Sequence, residues 1–430
     1  MFRPTLGTRG AIVGVLVTLV LCLTPAFLFS GGEGEQTDAA DPVTIRIMGY
    51  GGQDPAIKSR LLDEVIGDEL AENGIEVEYE PLEGDYNAAL FNALSAGTAA
   101  DIIYIPVETA PGIIDTGLVE PLDERTDLSP FIDSLNESFT FDGSTYGIAK
   151  DFNTLAMFYN KDLFDEAGLD YPDRDTDWDE LEEMIREIAA LDDDIYGAAF
   201  PALFERFGVF SFAAGWDMFE EDGTSNLTDP ALIESVEWYT DLVRDGVAVQ
   251  PSDLGQDWAG GAFGTGEVGI VFEGAWILGY LRNEAPNLEF GATTVPVGPS
   301  GESGNFLYTV AYGINNQTEH MDEAVAVLEA LTSEEAQQFV LEEGLAIPSR
   351  EALAENPYFD EGTAESEANR TIFDGAEHGR VFGYQFGEVG TDWMTPINSA
   401  VSEIMTGDAS VDEALERAQR DLEELLQDVE

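Results

Sequence analysis

The sequence has little positive charge. Its 430 residues contain 18 Lys+Arg and two histidines against 86 Asp+Glu, which gives a formal net charge of −68. Nucleic acid is disfavoured as a partner, because phosphate contacts need clusters of lysine and arginine that this chain lacks. Hydrophobic residues make up 44% of the chain, a normal fraction for a globular protein, so the acidity does not indicate disorder.

Lysine is especially rare, and only Lys58, Lys150 and Lys161 occur. The acidic residues that dominate instead are spread from Glu33 to Glu430 and form no single tail. These like charges repel one another, and a folded chain tolerates the repulsion where salt of about 1 M shortens the Debye length to about 3 Å. We therefore interpret the acidity as the surface of a halophilic protein.

The chain also lacks the residues of common metal and catalytic sites. Its one cysteine, Cys22, cannot form an internal disulfide, and His320 and His378 have no zinc-site spacing. A nucleophile elbow, a P-loop and a dinucleotide-binding glycine motif are missing. Alternating aspartates at 173–179 resemble a calcium loop but lack its glycine and glutamate, which favours a solvated loop. We predict no metal, no cofactor and no enzymatic activity.

The amino terminus predicts export. Arg3 and Arg9 precede an uncharged apolar run at 11–29, and basic residues on the short side place the rest of the chain outside the cell. We interpret residues 1–30 as a signal or membrane anchor and 31–42 as a flexible linker. An uncleaved anchor is favoured, with cleavage or lipidation at Cys22 as the alternatives.

From Val43 onward, strand and helix patterns alternate, which predicts an α/β fold. The strand candidates are β-branched or apolar runs: VTIRIMGY, IEVEYEPL, DIIYIPV, TLAMFYN, DIYGAAF, VGIVFEG, LEFGATTVPVG and FLYTVAYGI. Strands separated by helices predict parallel pairing. Thr176 and Asp179 are placed as a capping box of one helix, and Ser410 and Glu413 as that of the last. About 385 residues after the linker fit two α/β domains better than one core.

One pair of residues suggests a ligand. In FEGAWIL, Glu273 follows an apolar strand and Trp276 starts the next helix. A tryptophan face stacks on the C–H face of a sugar while a nearby carboxylate accepts its hydroxyls. This pattern indicates carbohydrate binding, although a tryptophan at a strand end can equally be a core residue.

The chain resembles a known family in several motifs that occur in order. They are DYNAALFNALSAGTAADIIYI, YGIAKDFNTLAMFYNKDLFDEAGLDYP with the later TDWDEL, FGTGEVGIVFEGAW, EGLAIPSR and MTGDASVDEAL. Together they are similar to the extracellular solute-binding proteins of ABC importers, in the group that contains maltose-binding and other sugar-binding proteins. Two departures are Ala100, where the family usually has proline, and the absence of a lipobox.

The resemblance implies a type II clamshell like that of the periplasmic binding proteins. Each of two lobes would be a mainly parallel sheet flanked by helices, with lobe 1 at 43–147 plus 289–344 and lobe 2 at 148–288 plus 345–430. The chain would be a monomer that captures a solute by hinge closure on the outer face of the cell membrane. It would deliver that solute to ABC permease subunits served by a cytoplasmic ATPase.

The resemblance also implies a binding cleft at the carboxyl ends of strands, to which Lys150 adds a cation beside Asp151. The expected ligand-binding residues are Tyr50, Gln53, Tyr86, Tyr104, Lys150, Asp151, Asn153, Trp216, Glu273, Trp276, Asn305, Tyr308, Tyr384 and Trp393. Lys161 is expected instead in the turn that starts a short helix.

The solute class is predicted as sugar or oligosaccharide. A polyol, a glycerophosphodiester or another small organic solute is the alternative within the same class of protein. A membrane-tethered carbohydrate-active enzyme is the rival from a different class, since paired catalytic carboxylates cannot be located among 86 acidic residues.

Overall fold

A computed structural model describes the chain from residue 42 to residue 427, apart from 52, 53, 83, 85, 221, 222, 344 and 345. The predicted signal or anchor, most of the linker and Cys22 lie outside the described residues. The rest alternates between strands and helices, as the sequence pattern predicts.

The strands form two larger sheets and one hairpin. Most of the strand candidates coincide with observed strands, and β1 and β2 match residue for residue. The strands are β1 (Val43–Tyr50), β2 (Ile75–Leu82), β3 (Ile102–Pro106), β4 (Thr140–Phe141), β5 (Ser144–Thr145), β6 (Ile148–Asn153), β7 (Ala156–Asn160), β8 (Tyr196–Ala199), β9 (Ala248–Val249), β10 (Val268–Glu273), β11 (Phe290–Thr294), β12 (Gly304–Ile314) and β13 (Arg380–Gly383).

The helices pack on these sheets, and a π-helical turn at Leu62–Ile66 joins the first two. They are α1 (Asp54–Leu61), α2 (Gly67–Glu72), α3 (Tyr86–Ala96), α4 (Ala110–Asp115), α5 (Asp133–Glu137), α6 (Lys161–Ala167), α7 (Trp178–Ala189), α8 (Phe204–Ala214), α9 (Pro230–Arg244), α10 (Ala259–Gly264), α11 (Trp276–Glu284), α12 (Met321–Leu331), α13 (Glu334–Glu342), α14 (Ala364–Asp374), α15 (Met394–Thr406) and α16 (Val411–Gln427).

The first sheet has the strand order β13-β12-β3-β1-β2, and β6 also pairs with β12. Strand β1 runs parallel to β2 and β3, as expected for strands connected through helices. Strand β12 is antiparallel to β3 and β6. It is long enough to pair with β13 through its first residues and with β3 through its last.

The second sheet has the strand order β11-β7-β10-β8-β9. Strand β8 is parallel to β9 and β10, whereas β7 is antiparallel to β10 and β11. Both sheets are therefore mixed rather than mainly parallel. The antiparallel pairs involve the strands that lead from one sheet to the other, which are not joined to their neighbours by helical crossovers.

Among the described residues, two connections lead directly from a strand of one sheet to a strand of the other. Residues 154–155 connect β6 of the first sheet to β7 of the second, and residues 295–303 connect β11 of the second to β12 of the first. The predicted ranges had put β6 with lobe 2 and β11 with lobe 1. Both strands instead pair with the sheet that the chain is about to leave, and β13 pairs with β12 of the first sheet. Movement of the two sheets as separate lobes stays a prediction.

Two local predictions can be compared with the helix ends. The capping box of α7 is formed by Asp177 and Glu180 rather than by Thr176 and Asp179, because the helix begins one residue later than the capping pattern predicts. Thr176 accepts a hydrogen bond from the backbone of Asp173 instead. Asn160 caps α6 through its side chain, so Lys161 does lie in the turn that starts a short helix.

Helix α8 is buried on nearly all sides and brings two charged residues toward the strand ends. Phe204, Phe207 and Phe212 on this helix are at most 1% exposed. Glu205 and Arg206 follow Phe204 in its first turn and are only partly buried. The aromatic packing therefore fixes the position of two charges next to the site described below.

Candidate functional site

A cavity of about 240 Å³ lies where residues of both sheets meet. Its walls come from strand ends and from the segments that follow them, the usual position of ligand sites in open α/β sheets. The lining residues are Tyr50, Asp54, Glu108, Lys150, Asp151, Asn153, Trp276, Tyr308, Thr309, Val310, Ala346 and Tyr384.

Tyrosine rings form much of the surface on the side of the first sheet. Tyr50, at the end of β1, packs edge-on against Tyr86 and Tyr104, with ring centroids 4.9 and 5.4 Å apart. Tyr86 is held from below, since its hydroxyl donates to the carbonyl of Met48 at 3.2 Å. Tyr50 is thus presented to the cavity by a layer of tyrosines behind it.

A buried group of charges lies under these rings. Lys150 forms an ion pair with Asp151, and its ammonium lies 5.2 Å from the ring centroid of Tyr104. The Tyr104 hydroxyl donates to Asp54 at 3.0 Å. Burial alone would lower the pKa of Lys150, but the charges of Asp151 and Asp54 raise it above its ordinary value. Lys150 is therefore a cation in the folded protein.

Lys58 completes this group from α1. It is 3% exposed and donates to the hydroxyl of Tyr312 on β12. Burial lowers the pKa of Lys58, against the opposing charges of Asp54 and Asp151. Two of the chain's three lysines are therefore buried next to the cavity, away from the acidic surface.

Trp276 is the main aromatic residue contributed by the second sheet, and buried charges fix its ring. Its indole Nε1 donates to Glu273 Oε2 at 2.7 Å. Arg206 donates to the same carboxylate oxygen at 2.9 Å, and its guanidinium lies 5.4 Å from the centroid of the Trp276 ring. Glu273 is completely buried, and its Oε1 has no hydrogen-bond partner within the described part of the chain. Glu273 and Arg206 therefore orient the tryptophan.

Tyr308 and Tyr384 extend the aromatic surface from the Trp276 side. Tyr308 meets Trp276 edge-on with ring centroids 5.7 Å apart, and its ring lies 4.8 Å from that of Tyr384. Their hydroxyls are fixed at Glu205, where Tyr308 donates to the backbone carbonyl at 2.6 Å and Tyr384 to the carboxylate at 3.1 Å. The N-terminal turn of α8 thus orders both rings.

Glu108 adds a carboxyl group to the cavity from the turn after β3. Burial raises the pKa of Glu108 to about 7, and the charge of Glu205 contributes to the rise while its own backbone N–H opposes it. A glutamate with this pKa is partly protonated near neutrality.

The structure brings together seven of the residues predicted to bind ligand, and three more lie behind them. Those that line the cavity are Tyr50, Lys150, Asp151, Asn153, Trp276, Tyr308 and Tyr384. Tyr86, Tyr104 and Glu273 support them from the next layer. Gln53 lies outside the described residues.

Three other predicted residues, Trp216, Trp393 and Asn305, are also not among the lining residues. Trp216 is 2% exposed and donates to the carbonyl of Asn226, and Trp393 is fully buried and donates to Ser225. Both are core residues of the aromatic packing around α8. Asn305 bonds through its side chain to the backbone N–H and carbonyl of Leu155 at 2.9 and 2.8 Å, so it holds one of the two crossing segments.

Several lining residues were missed by the sequence prediction. Asp54 is adjacent to the glycine-rich loop after β1, and Glu108 comes two residues beyond the end of β3. Both positions follow strand ends, a signal that could have identified them. Arg206 carries no such signal, because its role depends on the packing of α8 against β12.

Two features, a metal site and a membrane-spanning helix, are absent from the described residues. No group of three or more histidine, cysteine, aspartate or glutamate side chains in that part of the chain has the geometry to hold a metal ion. None of the helices there is both long and apolar enough to cross a bilayer.

Comparison with known proteins identifies the family. A model of the bacterial extracellular solute-binding proteins matches residues 69–368. A Brucella abortus protein described only as a binding protein is 30% identical over 301 residues, which are 67% of this chain and 72% of that protein. The galactooligosaccharide-binding protein of Bacillus subtilis is 24% identical over 334 residues, covering 75% of this chain and 76% of the relative.

Solved structures agree on the fold. An ABC substrate-binding protein from Listeria monocytogenes, in complex with cycloalternan, superimposes with a TM-score of 0.79 at 20% sequence identity. The match covers 90% of this chain and all of that one. The predicted fold, a two-lobed type II binding protein, is thereby confirmed, and the chain belongs to the bacterial extracellular solute-binding proteins.

Proposed function

We propose that this protein captures a sugar or oligosaccharide in the cavity and delivers it to an ABC permease driven by a cytoplasmic ATPase. The observation that supports this most strongly is Trp276, an indole held at the cavity by Glu273 and Arg206 and surrounded by tyrosines and carboxylates. A fixed aromatic face next to hydrogen-bonding acids suits a ring with a C–H face and hydroxyl edges. Relatives named for galactooligosaccharide and cycloalternan binding favour the same solute class.

The proposed mechanism is closure around the solute without a covalent step. Because the cavity is lined from both sheets, a bound solute would contact both and stabilise the conformation in which they approach each other. The segments 154–155 and 295–303 would act as the hinge. The proposed contacts are Tyr50, Lys150, Asp151, Asn153, Trp276, Tyr308 and Tyr384.

The setting of the protein is also a proposal. We infer a monomer attached to the outer face of the cell membrane through residues 1–30, with an acidic surface adapted to high salt. The arginine-led apolar run at the amino terminus and the net charge of −68 support this inference. Thermal unfolding at decreasing salt concentration tests the adaptation of the acidic surface to high salt. A melting temperature that does not depend on salt would refute it.

A thermal-shift screen in salt of about 1 M tests the solute assignment. The panel contains mono- and oligosaccharides, polyols and glycerophosphodiesters. A ligand present at 100 times its Kd stabilises the folded state by about 2.7 kcal/mol, so a sugar that binds should raise the melting temperature. Stabilisation by another solute class alone would show the sugar assignment to be wrong. Chromatography of the incubated sugar then separates binding from turnover, because an importer component releases its solute unchanged.

A further inference from the structure

The charged groups that line the cavity do not balance. Three carboxyl groups, Asp54, Glu108 and Asp151, face it together with one ammonium group, that of Lys150. Asp151 is paired with Lys150, and Asp54 accepts a hydrogen bond from Tyr104. Among the described residues, no lysine, arginine or histidine nitrogen lies within 4.0 Å of Glu108. Asp54 and Glu108 are therefore the lining carboxyl groups that have no ion pair within the described part of the chain, and of these Asp54 is held by the Tyr104 hydroxyl.

The residue whose charge acts on Glu108 is also negative. Glu205 approaches from the first turn of α8, and its charge disfavours the ionised form of Glu108. Glu205 has only a weak ion pair, at 3.9 Å from Arg206, whose guanidinium is already bonded to Glu273. Two partly buried carboxylates near each other are unfavourable unless a cation joins them.

Aromatic rings surround the same carboxyl group. Burial raises the pKa of Tyr50 and of Tyr384, and the charge of Glu108 raises both further. Glu108 lines the same cavity as both tyrosines. Trp276 and Tyr308 line the rest. Electron-rich ring faces around a carboxylate are the chemistry that binds organic cations.

We propose that the captured solute carries a positively charged nitrogen, which Glu108 receives among the rings of Tyr50, Tyr384 and Trp276. This inference rests on the proposed function and makes its solute class more specific. The cavity of about 240 Å³ is below the usual 300–1,000 Å³ of drug-sized ligand pockets. The charged nitrogen therefore belongs to a small group, such as an amino sugar ring or a quaternary ammonium head.

A matched series of ligands tests the charge directly. Cellobiose, the β-1,4-linked glucosamine disaccharide and N,N′-diacetylchitobiose share one skeleton and carry a hydroxyl, an ammonium and a neutral amide at the same position. Choline and its uncharged isostere 3,3-dimethylbutan-1-ol form the second arm. Calorimetry is done near neutral pH, where an amine is still largely protonated and Glu108, with a pKa of about 7, is partly ionised. Salt of about 1 M screens the acidic surface.

We expect the charged member of one arm to bind at least about tenfold more tightly than its neutral counterparts. The ligand series that shows this preference identifies whether the nitrogen belongs to an amino sugar or to a quaternary ammonium group. In Glu108→Gln, which keeps the shape of the side chain, this preference should fall to less than about threefold. Glu183→Gln, at an exposed position of α7, is the matched control and should retain the preference in full.

Equal or tighter binding of the neutral members to the unmodified protein would overturn the proposal, whatever the folding of the variant. Retention of the preference in Glu108→Gln would overturn the assignment to Glu108. Stabilisation by neutral sugars alone would reject the cation and leave the proposed function intact. Failure of every solute class in the thermal-shift screen would reject the proposed function itself.

Discussion

The two sides of the cavity use buried charge differently. On the side of the first sheet, Lys150 and Asp151 reach the cavity surface as a pair, with Lys58 behind them. On the side of the second sheet, the pair of Arg206 and Glu273 lies behind Trp276, and Glu273 has no exposed surface. We refer to Tyr50, Asp54, Glu108, Lys150 and Asp151 as the tyrosine wall, and to Trp276, Arg206 and Glu273 as the tryptophan wall.

The difference separates two roles of charge in one site. In the tyrosine wall the charges themselves are available to a solute and can respond to its charge. In the tryptophan wall they pair with each other and fix the plane of an aromatic ring before any solute arrives. Polar recognition is therefore expected mainly from the first wall and stacking from the second.

The largest effect is expected from breaking the buried pair of the tryptophan wall. Arg206→Met leaves Glu273 buried without its cation, and such a loss typically costs about 3–5 kcal/mol of unfolding free energy. Urea titration in high salt measures it. Arg186→Met is the control, because Arg186 pairs with Glu182 at the surface and exposed pairs contribute at most about 1 kcal/mol. Equal losses of unfolding free energy in the two variants would mean that solvent reaches the Arg206–Glu273 pair as it reaches the surface pair.

Two tryptophans that the sequence grouped together should separate in their effects. Trp276→Phe removes the N–H that donates to Glu273, and we expect solute affinity to fall about tenfold, or about 1.4 kcal/mol. Trp216→Phe changes a core residue that is not among those lining the cavity, so it should lower stability and leave affinity unchanged. Calorimetry with the best solute of the screen, paired with urea titration, measures both. Weaker binding in Trp216→Phe would place that residue in the site after all.

The fold could be predicted from the sequence because its signals are local. Strand β1 coincides with the β-branched run 43–50 and buries Ile45, Ile47 and Met48, and α16 buries Val411, Leu415, Ala418 and Leu422 on one face. The mixed pairing could not be predicted in this way. The direction of β7 and β12 is set by which sheet the chain approaches after a crossing, and this depends on contacts between residues far apart in sequence.

The sequence predicted site residues that are next to strands. It missed residues whose position depends on how distant elements pack. Lys150, Asp151 and Trp276 lie in segments next to predicted strands, and all three line the cavity. Trp216 and Trp393 also lie near glycines, as Trp276 does, but are turned into the core around α8. Sequence alone cannot tell these cases apart, because an aromatic residue beside a glycine is compatible with either surrounding.

A smaller effect is expected from the hydroxyl that supports Lys58 behind the tyrosine wall. Tyr312→Phe removes the acceptor of the buried ammonium, and an unsatisfied buried donor costs about 1–2 kcal/mol. Tyr171→Phe is the control, since Tyr171 is 42% exposed and donates to Asp165 at the surface. Urea titration should show a clear loss for the first variant and little for the second. Similar values would mean that water replaces the Tyr312 hydroxyl.

The last effect is the pH dependence that Glu108 gives to stability in the absence of solute. The folded-state pKa of Glu108, about 7, lies above its ordinary value of 4.5, so the folded protein binds more protons than the unfolded chain between these values. The contribution of Glu108 to stability is therefore present at acid pH and is lost as the pH rises from about 4.5 to 7, by at most about 3 kcal/mol. In Glu108→Gln this component disappears, and the difference in unfolding free energy between variant and parent should grow over that range in favour of the variant. A constant difference from pH 4.5 to 7 would show that Glu108 titrates at its ordinary value and that the tyrosine wall is solvated like the outer surface.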